Sequence, residues 1–113
     1  MDISYGKFME MEIKIGQIKI CEVIPKSRNL MKMMVNCGEG GNLRQVVAGM
    51  HPYYKPEEMI GKKVVVLTNL KPRKLMGIES QGMILAADVE NRPYIITLEE
   101  SNKNLVPPGS RIK

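Results

Sequence analysis

From Glu12 onward apolar and polar residues alternate: Ile13, Ile15, Ile18 and Ile20 are separated by Lys14, Gln17 and Lys19. A two-residue period marks a strand with one buried face. The parity changes across Gly16, which predicts a bulge or sharp coil in a long first strand that ends near Ile24, before Pro25. Strands that bend this way close small barrels. Residues 30–37 (LMKMMVNC) and 43–50 (LRQVVAGM) predict a second and third strand, joined by a turn at Gly38, Gly40 and Gly41 as a hairpin. Residues 55–61 read as a single helical turn: Pro56 suits the first position, Glu57 and Glu58 complement the positive end, and Gly61 supplies the stop. Residues 62–87 then give a strand at Val64, Val65, Val66 and Leu67, a loop interrupted by Pro72 and Gly77, and a strand at 83–87. Three strands, a short helix and two more strands make an all-β layout, the five-stranded Greek-key barrel of the OB-fold.

The flanks do not fit inside such a barrel. Residues 1–12 form an N-terminal arm, with a short helix or extended run through Phe8, Met9 and Met11. Residues 88–113 form a C-terminal extension with a further strand at 94–98 (YIITL). About 25 residues with exposed strand edges are a liability unless they pack on the barrel or on a second copy. With 113 residues, no internal repeat and no low-complexity linker, residues 1–113 are expected to form one domain. No apolar run approaches the roughly 20 residues of a membrane span. The start, MDISYGKFMEMEIK, lacks a signal-peptide pattern. The expectation is a cytoplasmic protein with no membrane association.

Charge changes the picture. The net charge is +5, and it is concentrated: residues 23–77 hold ten Lys or Arg against three Glu, whereas residues 88–100 hold four acids against Arg92. That asymmetry favours a polyanionic partner. Lys71, Arg73 and Lys74 share one loop; Arg28 lies on the turn after the first strand. Lys32 and Arg44 lie on the second and third strands, their relative facing left to the register. These cations suit phosphates, each adding close to one unit of salt dependence. Asn69, Ser80 and Gln81 suit bases or 2′-hydroxyls. Phe8 and four tyrosines are the whole aromatic complement, and none falls in a strand of the expected binding face, so generic base stacking is poorly supplied. By local pattern Met83 reads as a core strand residue.

Other chemistries find little support. His51 stands without an accompanying nucleophile motif, and Ser80 does not sit in a Gly-x-Ser-x-Gly elbow. The glycines at 38–41 lack the Lys-Ser/Thr of a phosphate loop. Cys21 and Cys37, with one histidine, do not make a paired zinc set, so they read as small core hydrophobes. No catalytic residue, metal or cofactor is expected.

One stretch carries a family likeness. Residues 69–87 (NLKPRKLMGIESQGMILAA) closely resemble the tRNA-binding OB domain found at the C-terminus of many methionyl-tRNA synthetases, in free-standing structure-specific tRNA-binding proteins and in the endothelial monocyte-activating polypeptide. The likeness extends to residues 15–18 (IGQI), 43–49 (LRQVVAG), 54–64 (YKPEEMIGKKV) and 106–112 (VPPGSRI). The resemblance implies an OB-fold that binds the outer corner of tRNA, and a homodimer in which the chain ends supply much of the contact. It also implies a stand-alone protein or a detached β-subunit partnering a methionyl-tRNA synthetase catalytic subunit. It makes Ser80 and Met83, with Asn69 and the loop cations, the tRNA-contacting set. The family often carries His-Pro-x-Ala-Asp before the second strand. Here that segment is Pro25-Lys26-Ser27-Arg28-Asn29, which replaces an acid with cations. The alternative is a dimeric export chaperone like CsaA that binds polypeptide, a reading to which ten methionines lend flexible apolar surface. That family's usual motif lacks the Ser-Gln-Gly-Met at 80–83.

Overall fold

The computed structural model describes residues 1–113. Its strands are β1 (Ile13–Val23), β2 (Met31–Glu39), β3 (Asn42–Ala48), β4 (Lys63–Leu67), β5 (Arg73–Leu75), β6 (Ile78–Ser80), β7 (Met83–Ile84), β8 (Ala86–Val89) and β9 (Arg92–Ile95). A short helix α1 (Tyr5–Phe8) precedes β1, α2 (Pro56–Met59) lies between β3 and β4, and a 3-10 turn spans Lys103–Leu105. A curled antiparallel sheet runs in the order β3-β2-β1-β4-β7, while β5-β6 and β8-β9 are separate hairpins. This is the expected mostly-β OB-like barrel, with α2 in the expected place.

The curl has a residue-level cause that differs from the expected one. Gln17 and Ile18 pair with Asn36 and Val35, but Ile20 pairs with Met34, so the extra residue is Lys19 rather than one at Gly16. Ile18 and Cys21 therefore both enter the barrel, and Ile20 turns outward, 50% exposed. The parity change across Gly16 has a different origin. Ile13 and Ile15 face a second apolar cluster outside the barrel with Val65, whereas Ile18 faces the interior. Gly16 itself lies against Val35, where an added Cβ would fall 2.6 Å from Cγ1, so β1 and β2 approach closely only without a side chain there.

The interior is sulfur-rich. Met31, Met33, Met50 and Met59 are buried with Cys21, Cys37, Val35, Val46, Val64, Val66 and Ile84. Burial of each Met, Val or Ile side chain here contributes about 1.5–3 kcal/mol. Four of the ten methionines thus fill the core instead of offering a promiscuous surface. Both thiols are raised above the ordinary range, chiefly by burial, Cys21 to about 11, which keeps them protonated. α2 is capped as its residues suggest: Pro56 opens it, Glu58 Oε1 accepts from the Lys55 N–H at 3.0 Å, and the Gly61 N–H donates to Ile18 O at 2.7 Å.

Beyond β7 the pairing partner changes. Leu85 N–H still donates to Val65 O, but from Ala86 the chain pairs with β9 across a turn at Glu90 and Asn91, both with positive φ. The strand expected at 83–87 is accordingly split at Leu85, and the one expected at 94–98 is displaced to Arg92–Ile95. The last residues return to the barrel. Ile15 N–H donates to Ser110 O at 2.8 Å and Ile112 N–H to Ile13 O at 2.8 Å, covering an edge of β1. Leu98, Val106 and Ile112 pack on the outer cluster with Phe8 and Leu85. Lys63 Nζ fastens this extension by donating to Lys103 O and Val106 O, each at 2.6 Å. Gly38 and Gly109 make the crossing possible: a Cβ on either would lie within 3.0 Å of the other's Cα. No helix is long and apolar enough to cross a membrane.

Candidate nucleic-acid interface

The segment expected to be a basic loop is partly a hairpin. β5 and β6 pair Arg73 with Ser80, Lys74 with Glu79 and Leu75 with Ile78, around a turn at Met76 and Gly77 with φ of 50° and 78°. Strand alternation separates the cations. Arg73 joins Lys71 beside a groove of about 290 Å³, while Lys74 points away from it. The groove runs between the end of β3 and the β5–β7 region. Val47, Met50, Leu70, Ile84 and Pro93 give it apolar walls, and Met83 stands in it, 41% exposed. Lys71 and Arg73 are exposed and make no ion pair or side-chain hydrogen bond, so their charge is free for a ligand.

Ser80 and Gln81 do something that sequence reasoning did not anticipate. β3 is the edge of the curled sheet, and an edge leaves backbone groups unpaired. Val47 N–H donates to Ser80 Oγ at 3.0 Å, and Ser80 Oγ donates to Gly82 O at 3.0 Å. Gln45 N–H donates to Gln81 Oε1 at 3.1 Å, and Gln81 N–H donates to Gln45 O at 2.8 Å. Gln45 Nε2 adds a bond to Glu79 O at 2.7 Å. Side chains thus replace strand ladder bonds and close the barrel. Ser80 is 4% exposed, at the groove's floor.

Arg44 completes that closure. Its Nε and Nη2 donate to the two Glu39 carboxylate oxygens at 3.1 and 2.6 Å, and Nη1 donates to Gln81 O at 2.7 Å and Thr68 O at 3.1 Å. The Arg44 hydrogen bond holds the Glu39 carboxyl below its usual range, and Glu39 in turn raises Arg44. The register also sets Arg44 apart from Lys32. Arg44 pairs with Val35, whose side chain enters the core, while Lys32 pairs with Val47 on the groove's side. Lys32 Nζ lies 3.0 Å from Glu22, a surface ion pair worth little against solvent.

The remaining sequence-named residues are distributed around this centre. Arg28 is exposed on a loop tied to the groove margin, because Asn29 O accepts from His51 N–H at 3.1 Å and the Asn29 side chain packs on Gly49. Asn69 is turned away: it accepts from Glu12 N–H at 2.9 Å and donates to Glu10 O at 2.7 Å, joining the N-terminal arm to the end of β4. Lys71, Arg73, Ser80 and Met83 are therefore brought together, with Arg44 and Gln81 behind them. Leu70, Met50 and Pro93 are groove residues that no local pattern singled out.

Comparison with known proteins places this architecture. Residues 13–110 match the model of the family described as "Putative tRNA binding domain". Methionine–tRNA ligase of Methanocaldococcus jannaschii is 43% identical over 114 residues, covering all of this chain but 16% of the ligase. That of Methanosarcina mazei is 50% identical over 111 residues, covering 98% of this chain and 15% of the ligase. The chain thus spans about one sixth of the length of these relatives. Among solved structures, a MetRS-related protein from Pyrococcus horikoshii superposes with a TM-score of 0.85 at 35% identity over the full length of both chains. The CsaA chaperone from Picrophilus torridus, at 22% identity and a TM-score of 0.84, shares the fold. On the match across the barrel and on the relatives at this identity, the chain belongs to the tRNA-binding domain family represented within methionine–tRNA ligases and in the free-standing MetRS-related protein.

Proposed function

We propose that this chain is a non-catalytic module that binds folded tRNA, with the groove beside β5 as its centre. The observation that carries the reading is the pair of unneutralised cations, Lys71 and Arg73, next to an apolar groove that contains Met83. Lys71 and Arg73 hold phosphates, with Arg28, Lys32 and Lys74 adding charge around them, and Met83 packs against an exposed base. Ser80, Gln81, Arg44 and Asn69 are positioning residues in this proposal: their polar atoms hold the groove's walls and the arm in place. The module works in the cytoplasm, either alone or as a detached subunit beside a methionyl-tRNA synthetase catalytic chain, where tethering raises the effective concentration of tRNA.

Gel-shift titration of folded tRNA against an unstructured RNA of equal length tests the reading. Tighter binding of folded tRNA is expected; equal binding or none to both refutes it. Retention of a methionyl-tRNA synthetase by the purified protein tests the subunit role. The proposed homodimer uses the arm and the C-terminal extension, whose exposed Ile3, Tyr5, Ile96 and Leu105 lie beyond the apolar cluster that the chain covers by itself. Sedimentation equilibrium at micromolar concentration checks it, and a monomer there rules it out.

A further inference from the structure

Pro93 of β9 forms part of the groove wall. The residues on either side of that proline, Arg92 and Tyr94, point to the other face of β9, and Tyr53 reaches over them from the turn after β3. The Arg92 guanidinium carbon lies 5.3 Å from the Tyr53 ring centre and 4.6 Å from that of Tyr94. The guanidinium thus stacks against both rings, and both tyrosines remain more than 40% exposed. Arg92 makes no ion pair, although Asp88 and Glu90 share its hairpin.

We infer that the Tyr53–Arg92–Tyr94 stack is a second RNA contact, which takes an unpaired nucleotide adjacent to the part of the tRNA held in the groove. The inference rests on the proposed tRNA-binding function and extends the site beyond it. A guanidinium stacked on aromatic faces keeps its in-plane N–H groups free for a phosphate. Exposed tyrosine faces accept a base of any identity, because every base has a π-face. The place lies across β9 from the groove wall that Pro93 forms, and its guanidinium, free of any ion pair, has the same sign of charge as Lys71 and Arg73. Exposed rings beside an unpaired guanidinium favour a polyanion carrying aromatic groups over a protein partner.

Wild type, Y53A/Y94A, R92Q and K71A/R73A are titrated with folded tRNA over a range of salt, with melting temperature and sedimentation measured for each. The expected result is about 5- to 30-fold weaker binding for Y53A/Y94A. Y53F/Y94F restores most of that loss, since the ring faces carry the contact. For R92Q the slope of log K against log salt falls by about 0.7, as for one lost phosphate contact to a single strand. Weak binding by K71A/R73A together with wild-type affinity and slope in Y53A/Y94A and R92Q overturns this inference and leaves the groove reading intact. A change in sedimentation with no change in affinity assigns the stack to a protein contact and overturns it equally. Absence of tRNA binding by the wild type overturns both readings.

Discussion

Arg44 tests the proposed division between residues that hold RNA and residues that hold the site together. Replacing it by alanine removes two bonds to the Glu39 carboxylate and leaves Gln81 O and Thr68 O without their donor. Net values of about 1 kcal/mol for a neutral hydrogen bond and 1.5–3 for one to a charged group bracket the loss. The Arg44 and Glu39 side chains are 22% and 32% exposed, so water recovers part of it. A destabilisation of about 2–3 kcal/mol follows, or roughly 6–12 °C in Tm for a chain of this size. The companion variant K71A/R73A touches two exposed cations with no internal partner, and its Tm is expected to stay within about 2 °C. The two variants exchange places in a binding assay run over a salt series below the R44A transition. If each lost phosphate contact removes about 0.7–0.9 from the slope of log K against log salt, K71A/R73A lowers it by about 1.4–1.8. R44A keeps the wild-type slope while affinity falls as Gln81 and its neighbours loosen. R44K sharpens the contrast, because it preserves the charge but lacks the planar fork that reaches Glu39 and both carbonyls. An R44A protein with wild-type Tm and a slope lower by nearly one unit, rescued by R44K, refutes the assignment and makes Arg44 a phosphate ligand.

Two further outcomes follow from the same closure. S80A deprives the buried Val47 N–H of its acceptor, which costs about 1–3 kcal/mol, or roughly 3–12 °C in Tm, whether or not RNA is present; an unchanged Tm contradicts the closing role. Because Glu39 is held below its usual range, its pairing with Arg44 stabilises the fold fully above the ordinary glutamate range, and that contribution is lost as pH falls through the depressed value. Thermal melts below about pH 4.3 should therefore decline more steeply for wild type than for E39Q; parallel curves count against the pair's contribution.

The elements with strong local signals were legible. Alternation, the Pro56-to-Gly61 turn and the glycine-bearing hairpin placed four barrel strands and α2 within two residues of their observed bounds. What was hidden depends on faces and edges. Ile13 and Ile15 look like barrel core because alternation reports burial without saying which side is buried; the outer cluster exists because residues 106–112 come back from the far end of the chain. Ile20 carries the same local signal as Ile18, yet a bulge at Lys19 turns it to solvent. Lys71, Arg73 and Lys74 look equivalent in a loop and cease to be so once two of them lie in a strand. Arg92 did leave a trace, as the lone cation in an acidic segment with an aromatic two residues away, but its pairing with Tyr53 needed the fold.

Residues 80–83 show why a motif does not disclose which of its members meet a ligand. A small hydroxyl and an amide are the groups that read a nucleotide's edge, and they are equally the groups that satisfy a strand's unpaired N–H and C=O. Composition cannot tell these uses apart; the position of β3 as the sheet edge decides, and it draws Ser80 and Gln81 inward. Gly82 follows from the same constraint, since a Cβ there would lie 3.1 Å from Leu67 O. Met83 is the first residue after the closure whose side chain is free, and strand pairing with Leu67 aims it into the groove. The hydrogen bonds that seal the barrel thus fix the backbone from which Met83 projects. Loosening the seal and weakening recognition are one event at this site, and a loss of binding in S80A or R44A acquires meaning only beside the Tm and the salt slope.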